Sequence, residues 1–259
     1  MAPEAGKRTK RIRTLLAVGF WLAVWQLAAM LIDEKIILVS PIQALEALMR
    51  LAPTGAFWCR IGFSALRILG GFLLALAAGC GLAAAAGACG ALRVLLAPVM
   101  QFVKATPVAS FIILALFWMR SRNLAVLISF LMVLPVVYSA VLEGVLNADR
   151  GLLEMAKVFR VPLWRRVRCI WLPCVWPYLV QSCRVGLGLC WKSGIAAEVI
   201  GLPDGSMGEA LYQTKLYVMT DELFAWTFVI ICVSALFERA FLRGLDRLGG
   251  HLMGGEGLW

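Results

Sequence analysis

Long apolar runs, each long enough to cross a lipid bilayer, recur along nearly the whole chain and constrain its fold more than any other feature. A spanning helix needs about 20 mainly apolar residues, and a helix satisfies its backbone polar groups internally. We expect spans at roughly 14–32, 61–87, 95–119, 124–146, 177–200 and 223–242. The sequence therefore predicts an all-α, polytopic membrane protein of about six transmembrane helices.

The composition favours lipid as the surroundings of this chain. Hydrophobic residues make up 62% of the sequence and charged residues 15%, whereas soluble domains carry about 25% charged residues. The formal net charge is +10, but the basic residues stand at the ends of the apolar runs, where anionic headgroups attract them. This placement indicates a lipid bilayer as the partner and does not indicate nucleic acid.

Basic residues also predict the orientation of the spans. They concentrate in residues 1–13, in the loop 147–176 and near the C terminus, which places both termini and that loop in the cytoplasm. The first run is too long for a typical signal-peptide core and lacks a small-residue cleavage signature, so we expect an uncleaved span. We expect a cytoplasmic tail over 1–13, a membrane domain over 14–247 and a C-terminal tail over 248–259.

Small residues recur every four positions in two predicted spans. The second span carries Gly71, Ala75, Gly79, Ala83 and Gly87, and the fifth carries Gly186, Cys190 and Gly194. Such faces let another helix approach closely, so they predict packing within a helix bundle. The eight cysteines form no CxxC pair and the only histidine is His251, so we expect no disulfide framework, metal site or histidine-based catalysis.

The predicted cytoplasmic segment 149–173 is too polar to span a bilayer and too patterned to be a simple linker. Apolar residues recur at helical spacing in its first half, at Leu152, Leu153, Ala156 and Phe159. Pro162 then interrupts the helix, and a second amphipathic stretch, 164–171, ends at Pro173. We expect two short helices that form a compact knob at the membrane face. The alternative is a solvated basic connector.

The same segment resembles the EAA loop of permease subunits of binding-protein-dependent ABC importers. That motif reads E-A-A-x3-G-x9-I-x-L-P, and the matching residues are Glu154, Ala156, Ile170, Leu172 and Pro173. Met155 and Arg160 depart from it. Other segments resemble the nitrate, sulfonate, taurine and bicarbonate branch of these permeases, namely 64–67, 70–72, 103–107, 183–189 and 196–201.

The resemblance implies a multi-pass permease of the bacterial cytoplasmic (inner) membrane. Two permease subunits would form the pathway, and we expect a homodimer, with a different second permease as the alternative. An extracytoplasmic substrate-binding protein would deliver the solute, and cytoplasmic ABC ATPase subunits would bind ATP and magnesium. The EAA loop would act as a coupling helix in a groove of the ATPase. Its expected coupling residues are Leu153, Glu154, Met155, Ala156, Phe159, Arg160, Val161, Pro162, Leu163 and Trp164.

Charged residues inside spans are candidates for the translocation pathway, because each costs roughly 2.5–3.5 kcal/mol on insertion scales. The expected pathway residues are Lys104, Thr106, Pro107, Arg184, Lys192, Ser193 and Glu198. We hypothesise that Lys192, with Lys104, favours an anionic or polar solute. Lys192 could instead pair with a carboxylate such as Glu198 of the partner subunit, and Arg184 could snorkel to headgroups.

The chain itself lacks a convincing nucleotide site. Its nearest approach to a phosphate-binding loop, 186–193, has Trp191 in place of the second glycine, whose flexibility that loop needs. We therefore expect a transport subunit that is not an enzyme and binds no cofactor. An ion-gradient-driven secondary transporter or channel, with Lys192 and Glu198 as a relay, is the alternative that the EAA spacing disfavours. A membrane enzyme ranks last, because no catalytic cluster is evident.

Overall fold

The computed structural model describes residues 3–32 and 38–252, and every regular element within these ranges is helical. This confirms the all-α membrane fold that the apolar runs predict. The α-helices are α1 (Pro3–Ile32), α2 (Pro41–Leu51), α3 (Gly55–Ala88), α4 (Gly90–Ala105), α5 (Val108–Leu116), α6 (Ser121–Leu146), α7 (Arg150–Val158), α8 (Leu163–Arg166), α9 (Leu172–Gly201), α10 (Met207–Leu216) and α11 (Thr220–Leu252). A π-helical turn, Val167–Trp171, joins α8 to α9.

The predicted spans correspond to helices of different character. Among the described residues, α3, α6 and α11 are long and apolar enough to cross a membrane, and α4 with α5 passes the same test as a bent pair. The apolar part of α1, Leu16–Ile32, is shorter. Helix α9 has 30 residues but carries Arg184, Lys192 and Glu198. Six spans are compatible with these helices, and the predicted tail boundaries fall inside α1 and α11.

The third predicted span is not one straight helix. The sequence indicates a continuous run over 95–119, whereas the structure has α4 and α5 bent by 98° at a break. Pro107 lacks a backbone N–H and disfavours helical geometry in the residue before it. Thr106 accordingly has extended geometry (φ −76°, ψ 129°), and Pro107 becomes the N-cap of α5.

The described residues divide into two compact units, of which the first comprises 1–59 and 210–230. Helix α2 begins with a capping box, in which Ser40 Oγ accepts from Gln43 N and the Gln43 side chain accepts from Ser40 N. Arg50 at the end of α2 forms an ion pair with Asp221 at the start of α11.

The second unit, 60–209 with 231–259, is built around α3, α6 and α9. A Cβ atom added to Gly79 would lie 2.9 Å from Val137 of α6, and one added to Gly194 would lie 2.6 Å from Ile68 of α3. Ala75, Ala83 and Cys190 on the same small-residue faces are fully buried. The predicted close packing of the second and fifth spans is therefore confirmed.

The directions of these three helices follow from which residues meet. Gly71 of α3 lies against Val126 of α6 and Gly87 lies against Val145, so α3 and α6 run in parallel. Helix α9 runs the opposite way, since Gly194 near its end lies against Ile68 near the start of α3. The unit therefore has two ends. Residues 201–208 follow α9 at one of them, and residues 149–173 follow α6 at the other.

Candidate coupling surface and solute pathway

Helix α7 is the first half of the predicted knob. The carboxylate of Asp149 accepts a 2.7 Å hydrogen bond from Gly151 N and caps the helix, as an aspartate at an N-cap usually does. Ala156 is buried, whereas Leu152, Met155 and Phe159 are exposed. The apolar spacing therefore gives a helix, as predicted, but its larger apolar side chains do not pack inside this chain.

The turn after α7 keeps the geometry that a glycine would favour, although Arg160 occupies the position. Val161 N donates to Ala156 O over 2.9 Å, and Arg160 N donates to Lys157 O over 3.1 Å. These two bonds make a Schellman motif, which needs a left-handed residue between its donors. Arg160 supplies it with φ 50°. The break between two helices is thus formed without the motif's glycine.

The second half of the knob differs from the prediction. The stretch 164–171 does not end at Pro173 as a separate short helix, because α8, the π turn and α9 run on without a break. Leu172 N donates to Val167 O, five residues earlier. A π turn of this kind accommodates Pro173, which has no N–H to donate and whose ring crowds an ordinary α-helical turn. The second half of the knob is therefore continuous with α9.

A set of large apolar side chains on the knob is exposed. Phe159 and Trp164 are 73% and 71% exposed, on either side of the Arg160 turn. We use the name coupling surface for six exposed residues of the knob, namely Leu152, Met155, Val158, Phe159, Leu163 and Trp164. Large apolar side chains are exposed along the apolar helices as well, where lipid is expected to cover them. The segment 149–173 is too polar to span a bilayer, so its exposed apolar side chains are expected to contact a protein.

Four of the ten expected coupling residues, Met155, Phe159, Leu163 and Trp164, belong to this surface. Ala156 is buried, Leu153 and Val161 are half-buried, and the others are exposed, including Glu154, Met155, Phe159, Arg160, Pro162, Leu163 and Trp164. Sequence reasoning missed Leu152 and Val158 as surface residues. Their spacing from Met155, three residues in each direction, is the helical signal that could have identified them.

One face of α9 is open along much of its length. Arg184 and Lys192 are exposed on it, and Gly188 between them has open space where a Cβ atom would be. Lys192 forms no hydrogen bond or ion pair with the residues that the structure describes. A lysine at this depth of a membrane helix is expected to face a water-filled cavity or a partner.

The remaining pathway candidates lie at the α4–α5 bend and in the core. Lys104 is exposed at the end of α4, and its Nζ donates to Ser139 Oγ over 3.2 Å. Thr106 Oγ1 donates to Phe102 O, and Pro107 is exposed at the bend. Ser193 is buried, and its hydroxyl donates to Leu189 O within α9. Ser193 thus does not reach the surface of the subunit in this conformation.

Glu198 has no exposed surface either. Its Oε2 accepts from Ser64 Oγ over 2.7 Å and from Gly208 N over 3.2 Å. Its role in the pathway, or as a partner for Lys192 of the second subunit, stays a prediction. In this structure the 201–208 turn folds over this end of α9, with Gly208 packed against the Glu198 side chain.

The structure combines a bundle of apolar helices with an exposed apolar knob that is joined directly to one of them. These features are typical of a helical membrane protein that binds a partner outside the lipid. Residues 71–241 match the family model described as "Binding-protein-dependent transport system inner membrane component". The chain belongs to this family of ABC importer permeases, whose members are transport subunits and not enzymes. They lie in the inner membrane as multi-pass proteins and work with an ATPase and a substrate-binding protein.

Several relatives cover most of the chain. The putative aliphatic sulfonates transport permease of Escherichia coli is 30% identical over 88% of this chain and 89% of its own. The taurine transport system permease of Escherichia coli is 25% identical over 86% and 82%. The bicarbonate transport system permease of Synechococcus elongatus is 26% identical over 74% and 69%.

Proposed function

We propose that this permease moves a small polar or anionic solute by alternating access, and that the coupling surface transmits the motion of a separate ATPase to the bundle. The observation that carries the proposal is the exposed knob, in which Phe159 and Trp164 are largely exposed and which continues into α9 without a break. A partner that grips the knob therefore also holds α9.

The mechanics follow from this continuity. Binding of ATP and magnesium takes place on the partner ATPase subunits, which close together and carry the knob of each permease with them. Because α9 packs tightly against α3 and α6 through Gly194 and Gly186, a displaced knob moves packed helices as a body. Packed cores switch between discrete arrangements more readily than they deform. The bundle then opens alternately to either side.

The orientation and the partners complete the proposal. The knob faces the cytoplasm, as the basic residues of 147–176 favour, and both termini lie on that side. The 201–208 turn then lies at the extracytoplasmic end, where a substrate-binding protein delivers the solute. A second copy of this chain supplies the other half of the pathway.

Two exposed cations on α9 indicate the class of solute. Lys192 and Arg184 are exposed on one face of α9, and a cation in a low-dielectric setting favours an anion strongly. The names of the relatives mention sulfonates, taurine and bicarbonate, all of which carry an anionic group. The same charges therefore suit a sulfonate- or carboxylate-sized anion in this permease.

Reconstitution tests the function. The chain is placed in proteoliposomes with its ATPase and its substrate-binding protein, and uptake of taurine, an alkanesulfonate and bicarbonate is measured with and without ATP. We expect uptake of at least one of them only when ATP and both partners are present. Uptake by the permease alone along an ion gradient would instead support a secondary transporter or channel.

A charge reversal tests coupling in the same vesicles. Glu154→Lys on the exposed knob should leave ATP hydrolysis in place but separate it from uptake. Asp246→Lys is the matched control, since Asp246 is also an exposed acid but lies on α11. A Glu154→Lys permease that transports normally would show that this part of the knob has no coupling role.

A further inference from the structure

Two arginines from different helices meet at one aromatic ring near the 201–208 end of the second unit. The guanidinium carbon of Arg67, on α3, lies 3.6 Å from the centre of the Phe63 ring, and that of Arg122, on α6, lies 5.9 Å from it. Both arginines are within the range of a cation–π interaction with this ring. Residues 63, 67 and 122 therefore form a compact cationic cluster.

Backbone contacts fix the cluster in place. Arg67 Nε donates to the carbonyl of Arg122 over 2.7 Å, and its Nη1 donates to the carbonyl of Phe63 over 3.4 Å. These contacts tie the start of α6 to α3, and the other Arg67 donors have no acceptor among the residues that the structure describes. The Arg122 side chain is exposed and Arg67 is half-exposed, so both remain accessible from outside the subunit.

The positive charge of the cluster is not balanced within the described part of the chain. Neither guanidinium forms an ion pair there, and the two arginines repel each other. Glu198 attracts Arg67 at longer range, but its Oε2 accepts from Ser64 and Gly208. Two cations held together by backbone geometry, with free donors, lack a counter-charge.

A small oxyanion is the ligand that this chemistry fits. A guanidinium group is planar and offers paired N–H donors that match the oxygens of a sulfonate, carboxylate or phosphate. It also binds such groups while stacked on an aromatic face. A halide lacks the paired oxygens that the fork recognises, so it should compete only through general screening.

We propose that Arg67 and Arg122, positioned around Phe63, bind a small oxyanion at the mouth of the solute pathway. The site would be the first contact of a transported anion with the permease, and this role rests on the proposed function. Binding of the anion itself does not, because it can be measured on the chain without its ATPase. An anionic lipid headgroup offers the same chemistry, and the experiment separates the two sources.

The experiment measures thermal unfolding of the full-length chain in a neutral detergent. Sodium sulfate or sodium methanesulfonate is added in increasing concentration, and sodium chloride at equal ionic strength serves as the reference. The wild type, Arg122→Gln and Arg120→Gln are compared. Arg120 is the matched control, because it is exposed two residues away and, unlike Arg67 and Arg122, does not lie over the Phe63 ring. We expect a saturable rise in Tm with the oxyanions for the wild type and Arg120→Gln. In Arg122→Gln the oxyanion concentration that gives half of this rise in Tm should be at least about tenfold higher.

Two further arms decide the source and the geometry. In the first arm the salts are replaced by phosphatidylglycerol, which is added to phosphatidylcholine nanodiscs. A rise in Tm that occurs only with this lipid and is lost in Arg122→Gln would assign the site to a lipid headgroup and overturn the solute role. Arg122→Lys keeps the charge without the planar fork and should bind with intermediate affinity. Equal shifts in all variants, or equal shifts with chloride and sulfate, would overturn the oxyanion site, whatever the uptake experiment shows.

Discussion

The hydroxyl of Ser64 donates a 2.7 Å hydrogen bond to the carboxyl group of Glu198, although 134 residues separate them. Both residues are fully buried. Ser64 Oγ also accepts from Met207 N over 2.9 Å, and Glu198 Oε2 accepts from Gly208 N over 3.2 Å. This network therefore holds together α3, the end of α9 and the turn that leads to α10.

Loss of the Ser64 hydroxyl should loosen this end of the bundle. Ser64→Ala leaves a buried carboxyl oxygen and the backbone N–H of Met207 without this partner, which costs about 1–3 kcal/mol. We expect a lower Tm for the purified protein in detergent. Ser193→Ala is the matched control, because Ser193 is also buried but its hydroxyl donates only to carbonyls of its own helix. Equal losses in the two variants would contradict a joining role for Ser64.

The Arg160 turn gives a prediction of the opposite sign. A left-handed residue other than glycine costs roughly 1–2 kcal/mol, and Arg160 has φ 50°. Arg160→Gly should therefore stabilise the turn and slow amide hydrogen exchange at Val161, whose N–H closes the motif. Lys157→Gly, in the last turn of α7, should do the reverse, since glycine is a poorer helix former than lysine. Faster exchange in Arg160→Gly would show that the arginine side chain itself holds the turn.

The exposed knob predicts where the ATPase binds. Trp164→Ala removes a large aromatic residue from the coupling surface, and an aromatic anchor at a protein interface is typically worth more than 1 kcal/mol. We expect about tenfold weaker binding of the ATPase to the full-length permease in nanodiscs. Trp118→Ala is the control, because Trp118 is 82% exposed but lies in the turn between α5 and α6, away from the knob. Unchanged affinity in Trp164→Ala would move the ATPase to another surface.

Much of the fold is accessible from the sequence because its causes are local. The length and hydropathy of the apolar runs place α3, α6 and α11, and the spacing of Gly71 and Gly79 identifies the side of α3 that packs closely on α6. The knob is found because its pattern, ending in Pro173, lies within one short segment. Signals of this kind need no knowledge of distant residues.

The features that sequence reasoning misses depend on distant contacts. Nothing near Glu198 in the sequence identifies Ser64 as its hydrogen-bond partner or shows that the 201–208 turn folds over its side chain. Pro107 signals an interruption, but the 98° bend between α4 and α5 depends on how α5 packs against α6 and α9. The π turn before Pro173 is a different case, because it is a local adjustment of the hydrogen bonding that the apolar pattern does not reveal.

Lys192 remains the sharpest test of the pathway. It is exposed on α9 with no partner among the residues that the structure describes, and Lys192→Met keeps the length of the side chain while removing its charge. If the ammonium group attracts the anion during passage, uptake should be abolished. Co-purification with the ATPase and basal ATP hydrolysis should remain, because the knob is untouched.

Arg184→Met is the comparison for Lys192→Met. Arg184 lies on the same exposed face, eight residues nearer the 149–173 end, about 12 Å along the helix. Its long side chain can reach the headgroups at that end, so we expect a smaller loss of uptake. Both variants are measured in the same proteoliposomes, with taurine, an alkanesulfonate and bicarbonate. Unchanged uptake in Lys192→Met would remove Lys192 from the pathway and leave the anion preference to other cations.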